Sequence, residues 1–447
     1  MNEDINKLNF LNENLFSFEK FFEMMKTEIH NSLRTRKVKG IITLFTFSLG
    51  VIMIIFLCFY YKKTTNKLII TQLNSDPLIT KMPEAKGKRK FKQKRTEKIF
   101  TEDINETVNL NETDEKGNFL PSLPWETHWY KDFEFLNEKI KKPNSNCSLC
   151  DFKPTQIDPS SCDTDVIVTI AMGKIYGLPT TIRSIRTSQI HSAIVVLADS
   201  EAAASIQSDM QDIINDCGVN VIDVGDLTFH QMKGRYRTRW HLIYDYFRIN
   251  PLKFTRFVMT DAYDSFFQGD IFMKSLKEDT IYFSTESINI GRCMHNSRWI
   301  KEIYPESLKL MKDKPIICAG PVAGGVKPLL EFCKLMFAVD MWEDKWITPP
   351  DQAYVNYVVR TNMLEENKIP YEVVPNDGFM TTVGYCDRKK ELMVDENGNV
   401  GCPGFKTTPL LIHQYVRPKN MRGHMFHVCN STNSNAFKRD PYSKASF

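Results

Sequence analysis

The sequence predicts an α/β fold, a mostly parallel sheet flanked by helices, preceded by a single transmembrane helix and a flexible stem. Three observations predict it. From Val166 onward, apolar runs of strand length alternate with helical patterns, and such alternation builds a parallel sheet covered on both faces. Ahead of that region lies a long uncharged apolar segment, Ile41 to Tyr61. Between the two, the chain is polar and carries blocks of charge that bury too little surface to fold.

Residues 1–40 of the 447 form a head in which Leu8, Leu11, Leu15, Phe18, Phe22 and Met25 recur at helical steps. That stripe suits an amphipathic helix on a membrane surface or the seam of a homodimer. Residues 41–61 are the anchor. As a helix at ~1.5 Å per residue they span ~30 Å, the thickness of a hydrocarbon core. The segment lies too far into the chain and is too long for a signal peptide, and no small-residue cleavage site ends it. Basic residues flank it on both sides, so charge alone does not orient it. The cysteines do. Of eleven, Cys58 lies in the span and ten follow it, an even set for disulfides in an oxidising lumen. The acceptor sequons at Asn105, Asn111, Asn146 and Asn430 lie on the same side. The expected topology is single-pass, with a cytosolic N-terminus and a lumenal bulk.

Residues 62–150 read as the stem, where a basic run from Lys86 to Arg95 precedes an acidic run from Thr101 to Glu115. A lumenal stem meets little nucleic acid, and a net charge of +4 favours no particular partner, so no nucleic-acid role is expected. Cys147-x-x-Cys150 has no second metal-spaced pair nearby and reads as part of a disulfide framework rather than a zinc or redox motif.

The folded domain is expected over residues 151–430, with a tail at 431–447. Its first half reads as strands at Val166–Ala171, Ala193–Ala198, Val219–Val224 and Phe254–Thr260, with helices over Leu178–Ser188, Glu201–Asp216 and Thr238–Asn250. The second half reads as a strand at Ile281–Thr285, a glycine-rich loop Cys318–Gly325 and a helix over Lys327–Val339. A helix start at Asp351 and a last strand, Leu410–Tyr415, follow. No G-x-G-x-x-G follows the first strand and no G-x-x-x-x-G-K-[ST] occurs, which argues against a dinucleotide oxidoreductase or a P-loop enzyme.

The strand Phe254–Thr260 delivers Asp261 and Asp264, with Tyr263 between them. Two close carboxylates repel unless something neutralises them. A hard divalent cation does so through oxygen ligands, and it commonly holds a substrate's phosphates. At the carboxyl end of a sheet strand, where open α/β folds bind ligands, the pair predicts a metal–diphosphate site. The same acids also suit a turn or a helix cap.

Added to the D-x-Y-D of Asp261–Asp264 are C-A-G-x-x-x-G-G at Cys318–Gly325, D-Q-x-x-x-N from Asp351, and His413 on the late strand. In that order the chain resembles glycosyltransferases of the GT-A (Rossmann-like) fold over about residues 165–420. It is most similar to the retaining, family-8-like enzymes and to the D-x-Y-D glycosyltransferase domains of collagen lysyl hydroxylases. The anchor-and-stem layout is similar to that of type II enzymes of the Golgi or ER membrane.

The resemblance implies Mn²⁺, or else Mg²⁺, held by Asp261, Asp264 and His413 on the diphosphate of a UDP-sugar, with a glycan or glycoprotein as acceptor. Tyr263 would stack on the base, and the loop from Ala171 to Tyr176 would line the nucleotide pocket. Arg237 or Arg239 would meet the phosphates, Arg239 being preferred. Arg417 and Lys419 would neutralise the leaving diphosphate, although Arg-Pro-Lys stands here in place of the full H-x-x-G-x-x-K-P-W of family 8. Gly320, Gly324 and Gly325 would let the sugar approach the backbone. Asp351 and Gln352 would lie under the anomeric carbon as catalytic residues, and Asp351 also suits an N-cap. The expected protein is a membrane-anchored, metal-dependent, anomer-retaining glycosyltransferase. Its first alternative is an inactive domain of the same fold used as a lumenal scaffold. A nucleotidyltransferase is disfavoured, because Ala171–Gly177 is a poor match to its Gly- and Lys-rich loop.

Overall fold

The computed structural model describes residues 140–430 apart from 174, 228–234, 251–252, 340–341, 343–349 and 386–392. The head, the anchor, most of the stem, the tail and the sequons at Asn105 and Asn111 lie outside the described residues. Among the described residues no helix is long and apolar enough to cross a membrane.

Strands β1 (Asp165–Ala171), β2 (Ala193–Ala198), β3 (Val219–Asp223) and β4 (Arg256–Asp261) are mutually parallel in the order β3-β2-β1-β4. Their β-branched runs are buried on both faces because helices cover each side. These helices are α1 (Leu178–Thr187), α2 (Ser200–Asp209), α3 (Gln211–Asp216) and α4 (Arg235–Ile249). After a short β5 (Ser265–Phe267) comes β6 (Ile281–Asn289), then α5 (Met294–Ile303), α6 (Ser307–Met311), β7 (Pro315–Gly325) and α7 (Val326–Phe337). Next are α8 (Asp351–Arg360), α9 (Met363–Glu366), β8 (Tyr371–Val374), β9 (Met380–Thr382), β10 (Met393–Val394), β11 (Val400–Gly401), β12 (Leu411–His413) and α10 (Lys419–Val428). The main sheet has seven strands in the order β3-β2-β1-β4-β7-β6-β8, with β7 antiparallel to both its neighbours. The fold is therefore mixed α/β with a mostly parallel sheet between helices.

One face of the sheet packs Trp240 and Phe247 of α4 and Phe332 of α7 onto Phe257 and Phe283. The other packs Ile182 and Ile185 of α1 and Ile206 of α2 onto Ile167, Val196 and Val258. Each fully buried side chain of this size contributes roughly 1.5–3 kcal/mol. A second, three-stranded sheet runs β5-β12-β9 and builds its own apolar cluster from Phe266, Ile412, Tyr415 and Met425.

Four expectations are corrected. The helix over Glu201–Asp216 is two, because Met210 leaves helical geometry at φ −147° and buries its side chain. The glycine-rich loop is the buried strand β7, since small residues can pack between strands on both faces. The late strand is shorter than expected, Leu411–His413, and lies in a small second sheet. The ten cysteines do not all pair: Cys162, Cys293, Cys318 and Cys333 are free.

The Cys147-x-x-Cys150 pair is a disulfide framework, joining Cys147 to Cys217 and Cys150 to Cys429. Cys402 is also disulfide-bonded. Residues 140–150, assigned above to the stem, are tied into the fold by these bridges and by the Asn144 N–H donating to the Asp216 carbonyl at 2.8 Å. Cys150–Cys429 closes a separation of 279 residues. Cys429→Ser should therefore lower the chemical-denaturation midpoint by an amount equivalent to about 2–5 kcal/mol, whereas Cys162→Ser should leave it unchanged.

Candidate functional site

The strand order reverses at β1: β2 and β3 lie to one side of it and β4 to the other. Open α/β sheets bind ligands at the carboxyl ends of such a pair, where the diverging connections leave a crevice. Asp261 closes β4 at this edge, in register with Ile170 of β1. Asp264 ends the turn that follows, and β5 begins at the next residue.

That adjacency brings in His413. β12 pairs antiparallel with β5, setting His413 opposite Ser265, one residue beyond Asp264. The imidazole Nε2 lies 3.5 Å from Asp261 Oδ2, and Nδ1 lies 3.4 Å from Asp264 Oδ1. One ligand atom from each of the three lies within 4.8 Å of the others. Gly320 on β7 makes the room, because a Cβ there would fall 2.3 Å from His413 Nε2.

A buried guanidinium binds the acids to the rest of the site. Arg239 of α4 pairs with Asp261, pairs with Asp351 at 2.6 Å and donates to the Ala319 carbonyl at 2.8 Å. Burial opposes its charge, but Asp351 and Asp261 outweigh that and hold its pKa above the ordinary value. Asp261 is the mirror image: burial raises its carboxyl, and Arg239 and His413 more than reverse that. Asp264 has no such partner. Burial, with Asp261 adding to it, raises its pKa despite His413. Two carboxylates and an imidazole at this spacing, one carboxylate left uncompensated, fit a divalent cation by charge and by donor type.

Asp351 does not cap α8; Pro350 stands at the cap and Asp351 is the first helical residue. Its Oδ2 takes bonds from Arg239 and from Trp240 Nε1 at 2.8 Å, and its Oδ1 accepts the Gln352 N–H at 2.9 Å. Burial holds the carboxyl above its usual value, with Arg239 opposing. Both oxygens are thus spent on organising the site. Gln352 is aimed the other way, donating to Glu286 Oε1 and to Asn296 Oδ1, each at 3.1 Å.

The remaining predicted residues divide. Tyr263 is half-buried, and its hydroxyl accepts the Met172 N–H at 2.8 Å and donates to the Met172 carbonyl at 3.2 Å, bridging the crevice to the loop after β1. Ala171 ends β1 buried, and Tyr176 is half-buried in the turn before α1. Arg417 is exposed and within electrostatic reach of Asp261, Asp264 and Glu286. Lys419 opens α10, with its side chain outside the described set.

Arg239 has its donors engaged by the protein, so it is a clamp on the acids rather than a phosphate ligand. Arg237 donates to the Trp342 carbonyl instead of joining the acids. Gly324 and Gly325 are removed from the site altogether. β7 runs antiparallel to β4, so they pair with Phe257 and Arg256 at the opposite end from Asp261. There they let Thr280 and Glu278 carbonyls approach, to 2.1 Å and 1.7 Å of where a Cβ would stand.

Glu286 escaped the sequence reading. It follows the apolar start of β6 as Asp261 follows that of β4, and β6 runs in the same direction, so the signal was an acid at the carboxyl end of a buried strand. Only 4% exposed, it is pushed up to about 7 by burial, against the Gln352 hydrogen bond and the Arg417 charge. Because the folded pKa lies above the ordinary 4.5, the fold favours the protonated form. The stability this gives is complete below pH 4.5 and is lost as pH rises through about 7, an effect of order 3 kcal/mol. Glu286→Gln should remove that slope. Urea midpoints compared between the two proteins across this pH window will show it as a narrowing difference on the acid side.

No protein-family model matches the chain, and no curated protein matches it.

Proposed function

We propose that the protein is a membrane-anchored glycosyltransferase of the GT-A fold, moving a sugar from a UDP-sugar to a glycan or glycoprotein with retention of anomeric configuration. The observation that carries this reading is the gathering of Asp261, Asp264 and His413 within 4.8 Å of one another at the carboxyl edge of β4. Two carboxylates presented at a sheet's switch point are suited to a metal-held diphosphate. Mn²⁺, with Mg²⁺ the alternative, would supply charge neutralisation for the donor's diphosphate and its leaving group.

The chain's own groups account for the other requirements. Tyr263 and the backbone at 171–173 and 175–176 would form the wall on which a nucleoside lies. Arg417 is an exposed guanidinium within electrostatic reach of the acids, suited to a phosphate oxygen. Gln352, its orientation fixed by Glu286, Asn296 and the Asp351 turn, is the group for the reacting carbon. Asp351 acts through it as a positioning residue. The lumenal, type II placement in the Golgi or ER is supported by two long-range disulfides and by the exposed sequon residue Asn146.

The test is donor hydrolysis by the purified protein across a panel of nucleotide sugars, with Mn²⁺, Mg²⁺ or chelator. Metal-dependent release of UDP from one sugar is expected. Asp264→Asn should lower that release by at least about a hundredfold, a change of roughly 2.7 kcal/mol in the barrier, while the protein remains folded. Wild-type turnover in that variant contradicts the assignment. Absence of both hydrolysis and nucleotide binding in a folded sample favours the scaffold alternative.

A further inference from the structure

The register that brings His413 to the acids also sets a buried hydroxyl against its ring. Ser265 opens β5 and pairs directly with His413 of β12, and residues directly opposite in an antiparallel pair share a face, with Cβ atoms about 5 Å apart. Ser265 Oγ accordingly lies 3.5 Å from His413 Nδ1. Gln414 fixes the end of this ladder, its N–H donating to the Asp264 carbonyl at 2.8 Å from a left-handed backbone at φ 63°. Ser265 is fully buried, its hydroxyl shares a hydrogen bond with Thr260 Oγ1, and its carbonyl accepts the Thr181 hydroxyl at 2.8 Å.

The two ring nitrogens of His413 stand in different surroundings. A Cβ at Gly320 would lie 2.3 Å from Nε2, 2.7 Å from Cε1 and 2.8 Å from Cδ2. An atom in the ring plane on the Nε2 axis would stand much farther from the two carbons than from the nitrogen, so that position is over the ring face. The imidazole therefore lies with its face on Gly320, and the in-plane lone pair of Nε2 is clear of β7, with Asp261 Oδ2 at 3.5 Å. Among the described residues Nδ1 meets two oxygens, Ser265 Oγ and, at 3.4 Å, Asp264 Oδ1. A ring nitrogen that binds a metal carries no proton, so the other nitrogen carries it and needs an acceptor. Once a cation claims the Asp264 carboxylate, the Ser265 hydroxyl is the acceptor that remains.

We propose that Ser265 is a positioning residue for the cation site, its Oγ accepting the His413 Nδ1–H and so leaving Nε2 unprotonated for the divalent cation. The proposal rests on the metal reading above. In this arrangement the Ser265 hydroxyl donates to Thr260 Oγ1, which gives the hydroxyl pair a single direction and ties the imidazole to β4.

The experiment is Mn²⁺ titration of the full chain in detergent, read from the free-ion electron paramagnetic resonance signal, for the wild type, Ser265→Ala, His413→Ala and the Ser265→Ala/His413→Ala double variant. It runs far enough to register the weaker two-carboxylate site that His413→Ala leaves. Where Ser265→Ala alone does not fold, Ser265→Ala with Thr260→Val takes its place, because removing both hydroxyls orphans neither. Loss of the Ser265 hydroxyl should weaken Mn²⁺ binding about tenfold, the scale of a lost partner behind a metal-binding histidine. In the His413→Ala protein the same loss should change nothing further, since a group that acts through the imidazole is silent without it. Wild-type affinity in a folded Ser265→Ala overturns the proposal and makes Asp264 the acceptor. An equal loss with and without His413 overturns it too, because it marks a packing role. A wild type that binds no Mn²⁺ overturns the metal reading and this proposal with it.

Discussion

Three carboxylates converge where β4, α8 and the β4–β5 turn meet, and one buried guanidinium answers them. Arg239 takes Asp261 and Asp351 and also the carbonyl of Ala319, so a single side chain locks α4, β4, β7 and α8 to one another. It makes no ion pair with Asp264, beside which His413 Nδ1 lies at 3.4 Å. Close, half-buried like charges of this kind are relieved by protonation or by a cation that joins them. Three features of the site suit that imbalance: an imidazole set between two acids, a glycine cleared to admit it, and an exposed arginine within electrostatic reach.

The imbalance exists only because two sheets meet. The main sheet supplies Asp261 as the last residue of β4. The small sheet supplies His413 through its pairing with β5, which starts directly after Asp264. A chain separation of about 150 residues is thus closed by one short ladder rather than by a long loop, and loop closure is the costly part of any such assembly. The strain at Gln414 belongs to the same junction, where β12 must end and turn within one residue to reach the Asp264 carbonyl.

Much of this was legible in the sequence. Periodicity located β1 to β4 because parallel strands buried on both faces are continuous apolar runs. The acids announced themselves by closing such a run. Cys318–Gly325 was misread because glycine, proline and, less strongly, alanine are depleted in strands, whereas here small side chains are what two packed layers admit. Gly324 and Gly325 therefore serve backbone packing at the far end of the sheet. Arg239 was legible as a functional basic residue but not as a clamp, because its partners lie 22 and 112 residues away. Glu286 obeyed the rule that found Asp261, without a second acid beside it to draw notice. The α5 helix, whose Asn296 reaches Gln352, gave no recognisable signal in a polar stretch.

The central claim is that Asp261, Asp264 and His413 form one divalent-cation site. Electron paramagnetic resonance of Mn²⁺ added to the purified chain measures it directly, because protein-bound Mn²⁺ loses the sharp six-line signal of the free ion. The wild type should silence about one equivalent, and a folded His413→Ala should leave most of the added Mn²⁺ free. A full free-ion signal with the wild type, or identical binding by His413→Ala, would contradict the claim.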